Sequence, residues 1–356
     1  MALEHCDDFG SYGTTASFLT DGVYAEKPNV FLVADPDPSG SGTVVQILQG
    51  SSLANLRYVL QSGAVTTLGV GMRFYMPALP SDNTYRPSPI TFCDANNVAQ
   101  IELSVNTTGT LSVYRGDTSG TLIATSSAPV LTAAAWHHIE MKVLFSQTVG
   151  TIEVRVDGVP VTGLVLTGQD TCATALVECS QIRLSIPAKI GGSPPVYYWR
   201  DLVVWNSSGT ANNNFMGTVR VLRLVPTSDV ALNWTPSTGS TGFDLIDEAS
   251  PNDDTDYISA PSTLPAAYQA GLTNLPSDVT SVRALMSMVR MKKTDGGDGQ
   301  VQVGIKATTN TDQGADRAIT AAYAYWRDIS ELDPDTSAAW TPTAVDGAKL
   351  VINRTL

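Results

Sequence analysis

The chain is 356 residues long, which predicts two domains, and it carries a formal net charge of −13 at pH 7. An acidic surface repels phosphate backbones, and no cluster of Lys or Arg offsets it, which argues against nucleic-acid binding. No 18 apolar residues run together, so we expect no membrane insertion. The amino-terminal sequence MALEHCDDFGSYG lacks the basic and apolar regions of a secretory signal.

The composition is that of a β protein. Only 15% of the residues are charged, against about 25% in an average globular protein, and Thr, Ser, Gly, Asn and Pro replace them. Such residues favour strands and turns over long helices. Residues 1–42, rich in Gly, Pro and Asp, are predicted to be irregular.

From residue 43 onward, short segments of alternating apolar and polar residues follow one another, each bounded by turn-forming residues. This pattern predicts an antiparallel sandwich with two packed inner faces. The segment TIEVRVDG shows it best, because Ile152, Val154 and Val156 alternate with charged residues, and Asp157-Gly158 predicts a tight turn. The predicted strands are 43–50, 56–61, 66–76, 98–105, 109–116, 120–127, 136–146, 150–161, 180–187 and 196–205.

The first domain is expected to end near residue 226, after a surface loop and one more strand. A second β domain is predicted over the remaining 130 or so residues. One of its segments is ambiguous, because it combines helical spacing of apolar residues with a lack of internal Gly or Pro; we favour a strand, since the rest of that domain is β. The segments are 205–217 for the loop, 219–226 for the strand, 227–356 for the second domain with strands near 256–260, 301–309, 322–328 and 348–355, and 278–293 for the ambiguous stretch.

Two segments of the first domain resemble known jelly rolls. WHHIEMKVLFSQTVGTIEVRVDGVPV (136–161) resembles laminin-G and concanavalin-A-like domains, in which Trp-His-His opens one strand and a Val-Asp-Gly turn ends the next. VYYWRDLVVWNSSGTANNNFMGTVRVLRLVPTSD (196–229) is similar to the closing part of such domains in tailed-bacteriophage virion proteins. The carboxy-terminal third is similar to a domain that often follows the jelly roll in phage tail or fibre proteins. The segments that carry this resemblance are LNWTPSTG, DEASPNDDTDYIS and YWRDISELDPDTSAAWTPTAV.

This resemblance implies an antiparallel jelly-roll (lectin-like) sandwich over 43–226, followed by a smaller β-sandwich domain. It implies a structural component of a bacteriophage virion (tail tip, fibre or head-surface protein) that contacts the host surface. Such a protein is made in the bacterial cytoplasm, is exposed on the particle, and has other virion proteins as partners. A homotrimer is expected by the same analogy. The alternatives are a carbohydrate-binding host-attachment adhesin and, third, a glycan depolymerase.

No sequence motif indicates catalysis. A nucleophile elbow, a P-loop and a dinucleotide fingerprint are all missing, and His137 and His138 are adjacent, so they face opposite sides of a strand. Glycoside hydrolysis needs two carboxylates roughly 5 to 10 Å apart. The nearest approach to a glucanase pattern, Glu331-Leu-Asp333-Pro-Asp335, lies in a predicted loop. The sequence therefore predicts that the chain is not an enzyme.

Three groups of residues are candidates for binding. Aromatic rings stack on sugars, so a cluster of Tyr and Trp is a candidate carbohydrate site, although alternation buries about half of the rings. Clustered loop carboxylates are hard oxygen donors that would suit Ca²⁺, with a solvated acidic turn as the alternative and no other cofactor expected. Tyr, Trp and Arg dominate interface hot spots. The candidates are Tyr197, Tyr198, Trp199 and Trp205 for carbohydrate, Asp253, Asp254 and Asp256 for metal, and Tyr323, Tyr325, Trp326 and Arg327 for an interface.

The four cysteines are Cys6, Cys93, Cys172 and Cys179, and none forms a Cys-x-x-Cys pair. Free thiols are favoured, and a bridge between Cys172 and Cys179 is left open.

Overall fold

The structure is a computed structural model that describes residues 1–356 except residues 21, 39–41, 51, 84–85, 188–195, 249 and 265. The described chain divides into two compact units, Met1–Gly10 with Val23–Val221 and Ser11–Gly22 with Leu222–Leu356. Strands make up nearly all of the regular secondary structure in both units, which confirms the all-β prediction. Within the described residues, no helix is long and apolar enough to cross a bilayer.

The described part of the first unit contains fourteen strands, most of them where alternation predicted them. They are β1 (Leu3–Asp7), β2 (Val30–Ala34), β3 (Thr43–Leu48), β4 (Ala54–Val59), β5 (Thr67–Tyr75), β6 (Ser88–Cys93), β7 (Ala99–Val105), β8 (Leu111–Arg115), β9 (Thr121–Thr125), β10 (Trp136–Leu144), β11 (Gly150–Val156), β12 (Val159–Gln169), β13 (Gln181–Ile186) and β14 (Val196–Asn206).

These strands form two antiparallel sheets. The eight-stranded sheet has the order β12-β11-β10-β5-β14-β3-β2, with β1 beside β14, and the six-stranded sheet has the order β4-β13-β6-β7-β8-β9. Apolar side chains from both sheets meet between them; Phe92 of β6 packs edge to face on Phe145, with ring centroids 5.8 Å apart. The unit is therefore a jelly-roll sandwich, as predicted. Asp157 adopts a positive φ of 51° before Gly158, which confirms the tight turn.

The prediction of an irregular segment over 1–42 needs correction. Strand β1 pairs with β14 and β2 pairs with β3, so this segment supplies two strands to the eight-stranded sheet. Its short apolar runs, such as VFLVA, lie among Pro and Gly residues that obscured the pattern.

The strand predicted at 219–226 is also corrected, because the structure assigns no strand to 219–225. The amide of Val221 donates to Oδ1 of Asp201 at 3.0 Å, so a side chain takes the place of a ladder partner.

The second unit contains ten described strands and two short helices. They are β15 (Pro226–Leu232), β16 (Thr235–Pro236), β17 (Ile258–Ser259), β18 (Ala266–Leu272), β19 (Leu285–Met291), β20 (Gln300–Lys306), β21 (Thr311–Gln313), β22 (Arg317–Ala318), β23 (Ala324–Ser330), β24 (Lys349–Arg354), α1 (Thr15–Leu19) and α2 (Pro342–Asp346). Two 3-10 turns, Gly10–Tyr12 and Phe243–Leu245, complete the described elements.

The second unit is a smaller sandwich. A sheet of order β15-β18-β24-β20-β21, with β22 beside β20, packs against the β19-β23 pair. Tyr268, Val303 and Ile352 form the centre of its core, and Val289 and Trp326 cover them from β19 and β23. The ambiguous segment 278–293 thus contains a strand, as favoured, because β19 finds a partner in β23.

Candidate functional site

The outer face of the six-stranded sheet carries a continuous row of polar side chains. Cross-strand register places Arg57, Arg183, Thr91, Glu102 and Tyr114 side by side on β4, β13, β6, β7 and β8. Directly opposite residues on neighbouring strands have Cβ atoms about 5 Å apart, so the five side chains form one band across the sheet.

Small hydroxyl and amide side chains line the same face beside this band. They are Asn55, Ser88, Ser104, Ser112 and Ser185. We call the band and these residues together the polar face.

The polar face is enclosed although it is polar. Thr91 and Ser104 are 0% exposed, and Glu102 is 5% exposed. In β7 all seven residues are buried, so the polar side of this strand is as inaccessible as its apolar side. A sheet face that meets bulk water shows alternating exposure instead. The polar face is therefore a recessed surface.

Several buried atoms of the polar face have no hydrogen-bond partner among the described residues. They include Oδ1 of Asn55, Oγ1 of Thr91, Oγ of Ser104 and Nε of Arg183. Buried polar atoms in folded proteins normally have a partner, either protein or water. A recessed face with both free donors and free acceptors suits a ligand that is rich in hydroxyl groups.

Glu102 is the titratable group at the centre of the band. Burial raises the pKa of its carboxyl to about 7; a hydrogen bond from Ser88 and the charges of Arg183 and Arg86 oppose the rise. Ser88 Oγ donates to Glu102 Oε1 at 2.6 Å. A carboxyl that titrates near neutrality is suited to accept or donate a proton during a reaction.

The cations of the polar face differ in how they are held. Arg86 donates to the Tyr114 hydroxyl at 2.6 Å and lies over the Tyr114 ring, with Cζ 5.1 Å from the centroid. Arg57 pairs with Glu26 at 2.8 Å. Arg183 forms no ion pair or hydrogen bond through its side chain with any described residue, and it stands between Arg57 and Thr91 in the band. Arg183 is thus the cation available to a ligand.

The predicted carbohydrate-binding residues lie on the other sheet. Tyr197 and Trp199 point into the core and are 1% and 0% exposed. Trp205 is also buried, because its ring lies on the backbone of Gly69 in β5. Tyr198 remains half-buried on the outer face of β14.

The predicted metal residues are held by partners other than a metal. Asp253 accepts two hydrogen bonds from Arg290, at 2.7 and 2.9 Å, and Asp254 accepts one from Lys292 at 2.7 Å. Asp256 accepts a hydrogen bond from the side-chain amide of Asn252. Across the described ranges, no group of three or more His, Cys, Asp or Glu side chains is arranged to hold a metal ion.

The four predicted interface residues contribute to packing within the second unit. Trp326 covers the core, and Arg327 is 7% exposed. Tyr325 packs edge to face on Tyr12 with ring centroids 5.2 Å apart. Tyr323 hydrogen-bonds Asp254 at 3.1 Å through its hydroxyl. The interface itself stays a prediction.

The glucanase-like acidic pattern shapes a loop. Asp335 accepts hydrogen bonds from three successive backbone amides, those of Thr308, Thr309 and Asn310.

All four cysteines, including Cys172 and Cys179, are free thiols.

Sequence reasoning missed the polar face. A signal was present, because Gln100, Glu102 and Ser104 alternate with apolar residues in QIELSV. Their significance depends on the register with β6, which was not predicted as a strand, and with β13, which lies some 80 residues downstream.

No known family model matches the chain, and no curated protein sequence matches it. Solved structures with a similar fold include the cellulose-induced protein Cip1, at 14% identity and a TM-score of 0.41, covering 56% of this chain and 96% of that one. The alginate lyase vAL-1 from Chlorella virus is 12% identical with a TM-score of 0.39, covering 57% and 99%. The catalytic domain of a glycoside hydrolase family 131 protein from Coprinopsis cinerea is 14% identical with a TM-score of 0.37, covering 55% and 91%.

The prediction that the chain is not an enzyme is corrected by these findings, because a lyase and a glycoside hydrolase are among the structures it resembles. Likeness at this level concerns the fold and gives no activity to this chain. The prediction rested on the lack of paired carboxylates along the sequence, whereas the fold buries a single carboxyl, Glu102, whose pKa is raised to about 7.

The raised pKa of Glu102 predicts a pH-dependent cost in stability. Its carboxyl binds a proton more tightly in the folded chain than in the unfolded chain, where the pKa is about 4.5. The favourable contribution of the neutral form is complete below pH 4.5 and is lost as the pH rises through 7. Glu102→Gln should therefore raise the free energy of unfolding at pH 8 by about 3 kcal/mol and leave it unchanged at pH 4. Urea unfolding at both pH values measures this; an equal effect at both would contradict it.

Proposed function

We propose that the chain is a carbohydrate-active protein whose polar face binds a glycan, with Glu102 as the group that transfers a proton to or from the bound sugar. The observation that carries the proposal is the row of Arg183, Thr91, Glu102 and Tyr114, in which buried donors and acceptors lack partners among the described residues around a carboxyl of pKa about 7. The proposal develops the glycan-depolymerase alternative of the sequence analysis.

The chemistry of the row supports this assignment. Sugar hydroxyls both donate and accept hydrogen bonds, which matches the free oxygens of Thr91 and Ser104 and the free Nε of Arg183. Tyr114 lies opposite Glu102 on the next strand, and Arg86 fixes its hydroxyl. A carboxyl and a phenol on adjacent strands supply two groups that exchange protons beside one ligand.

Binding by the polar face is tested with Arg183→Gln. We expect this change to weaken binding of the glycan that the chain selects from a panel of alginate and β-glucan oligosaccharides by about 10- to 100-fold, since a hydrogen bond to a charged group contributes roughly 1.5 to 3 kcal/mol. Isothermal titration calorimetry on the full chain provides the measurement.

The matched control is Arg155→Gln. Arg155 lies on the eight-stranded sheet, where it pairs with Glu153 at 2.7 Å, and its replacement should leave this affinity unchanged. Equal affinities for the wild type and the Arg183→Gln variant would refute the proposal, as would the absence of binding to the whole panel.

We also propose, from the sequence resemblance of segments 136–161 and 196–229, that the chain is a virion component that meets host glycans. The homotrimer and the virion partners belong to this proposal. Sedimentation velocity of the full chain tests the trimer, and a monomer at all concentrations would contradict it.

A further inference from the structure

A second cluster lies on the outer face of the eight-stranded sheet. Register places Trp136, Tyr75 and Tyr198 side by side on β10, β5 and β14. Arg73 and Arg200 stand opposite each other on β5 and β14, on the same face and two positions along each strand from Tyr75 and Tyr198. We call these five residues the aromatic–arginine strip.

The three rings of the strip form a row. Trp136 and Tyr75 have ring centroids 5.4 Å apart, and Tyr75 and Tyr198 have centroids 5.9 Å apart. Trp136 Nε1 donates to Asp35 Oδ1 at 3.1 Å, and the Gln46 amide donates to the Tyr198 hydroxyl at 3.3 Å. Trp136 and Tyr198 are half-buried, so both rings are held in place and still reach the surface. A fixed row of aromatic edges and faces suits the apolar side of a sugar ring.

The two arginines of the strip are unequally neutralised. Arg200 pairs with Asp35 at 2.6 Å and with Asp201 at 3.2 Å. Arg73 has no ion pair or side-chain hydrogen bond within the described ranges, and its Cζ lies 5.7 Å from the centroid of Trp136. Like charges directly opposite on a sheet are destabilising. The strip therefore retains one uncompensated cation, that of Arg73, beside the half-buried ring of Trp136.

His138 extends the same row on the far side of Arg73. Its side chain is 1% exposed, and neither ring nitrogen has a hydrogen-bond partner in the described part of the chain. Burial lowers the pKa of His138 to about 4, so the imidazole is neutral near pH 7 and cannot compensate or reinforce the charge of Arg73. An anion at Arg73 would thus meet a guanidinium flanked by a neutral imidazole and a paired arginine.

We propose that the aromatic–arginine strip binds an acidic sugar residue of a glycan, with the sugar ring against Trp136 and Tyr198 and the carboxylate paired with Arg73. The site lies on the sheet opposite the polar face and does not depend on the function proposed for it. Its chemistry is that of a uronic acid, because a neutral sugar would leave Arg73 unpaired and a simple anion would not use the rings.

The test follows the indole N–H resonance of Trp136 in the full chain labelled with ¹⁵N-tryptophan, assigned by Trp136→Phe. D-glucuronate should shift this resonance, whereas D-glucose and acetate should require at least 10-fold higher concentrations. Arg73→Gln should weaken the response to glucuronate at least 10-fold without lowering Tm, since it removes a like-charge contact. Arg155→Gln and Arg183→Gln should not change the response, which separates this site from the polar face.

Three results would overturn the proposal: no shift of Trp136 with glucuronate, an equal response to glucose, or an equal response to acetate. The first removes the site, the second removes the role of charge, and the third removes the role of the rings. If Arg73→Gln does not fold, Arg73→Lys and Arg73→Met replace it in the test. Arg73→Lys keeps the charge but loses the planar guanidinium, whereas Arg73→Met loses both. A response to glucuronate that is unchanged in both variants would refute a role for Arg73.

Discussion

If Glu102 transfers a proton as proposed, Glu102→Gln should lower the rate of glycan cleavage at pH 7 by about 10²- to 10⁴-fold, the range that positioned acid–base groups contribute. Glutamine keeps the shape of the side chain and its acceptor oxygen for Ser88, which donates at 2.6 Å in the wild type, but it cannot take up or release a proton. Affinity for the oligosaccharide should change far less than the rate, because the polar donors around the site remain. The measurement is kcat and KM with the polysaccharide on which the wild type is most active.

The pH profile of the same reaction adds an independent readout. Since burial places the pKa of Glu102 at about 7, the wild-type rate should show an inflection near that pH, and the variant should lack it. Glu153→Gln is the matched control, because Glu153 is a partly exposed carboxylate of the other sheet, paired with Arg155 at 2.7 Å. Comparable activity of Glu102→Gln and wild type would remove Glu102 from the mechanism while leaving glycan binding by the polar face open to its own test.

Trp205→Ala should lower the free energy of unfolding by about 3 to 5 kcal/mol, the usual cost of removing a large buried aromatic side chain. The Trp205 ring is 0% exposed and lies flat on β5, where a Cβ atom added at Gly69 would stand 2.1 Å from its Cε2. Phe215 packs edge to face on Trp205 with ring centroids 6.2 Å apart. Chemical denaturation of the full chain measures the loss, and Tyr198→Ala, half-buried on the same strand, should cost much less.

The contact between Gly69 and Trp205 can be isolated by a double-mutant cycle. Gly69→Ala alone should cost about 1 to 3 kcal/mol, since its methyl group collides with the ring. In the Trp205→Ala background the methyl group has room, so the cost of Gly69→Ala should largely disappear. Strictly additive costs would show that the Gly69–Trp205 contact does not contribute to packing. A Trp205→Ala variant that is as stable as wild type but has lost sugar binding would mean that Trp205 serves a ligand and not the packing.

The sequence by itself determined the class of fold and most of its strands. In β11, apolar Ile152, Val154 and Val156 alternate with polar residues, and Asp157-Gly158 supplies the turn, so local pattern and local chemistry agree. The β character of the rest of the second domain also favoured a strand within 278–293, although the apolar spacing there fits a helix as well. Predictions from alternation succeed because the two faces of a strand are fixed by a period of two residues, whatever its partners are.

Only the tertiary structure decided which of those faces are buried and which residues stand beside each other on them. Alternation marks Tyr197 and Trp199 as sharing a face, but the packing of the second sheet is what buries them. Glu102 reads as an ordinary outward residue of β7 until Thr91 and Tyr114 flank it and Arg183 follows beyond Thr91. Tyr114 comes from the next strand along the chain, but Arg183 comes from β13, which a crossover of the jelly roll places beside β6. The pKa of a carboxyl depends on burial and on neighbouring charges, and both are set by contacts between residues far apart in the chain.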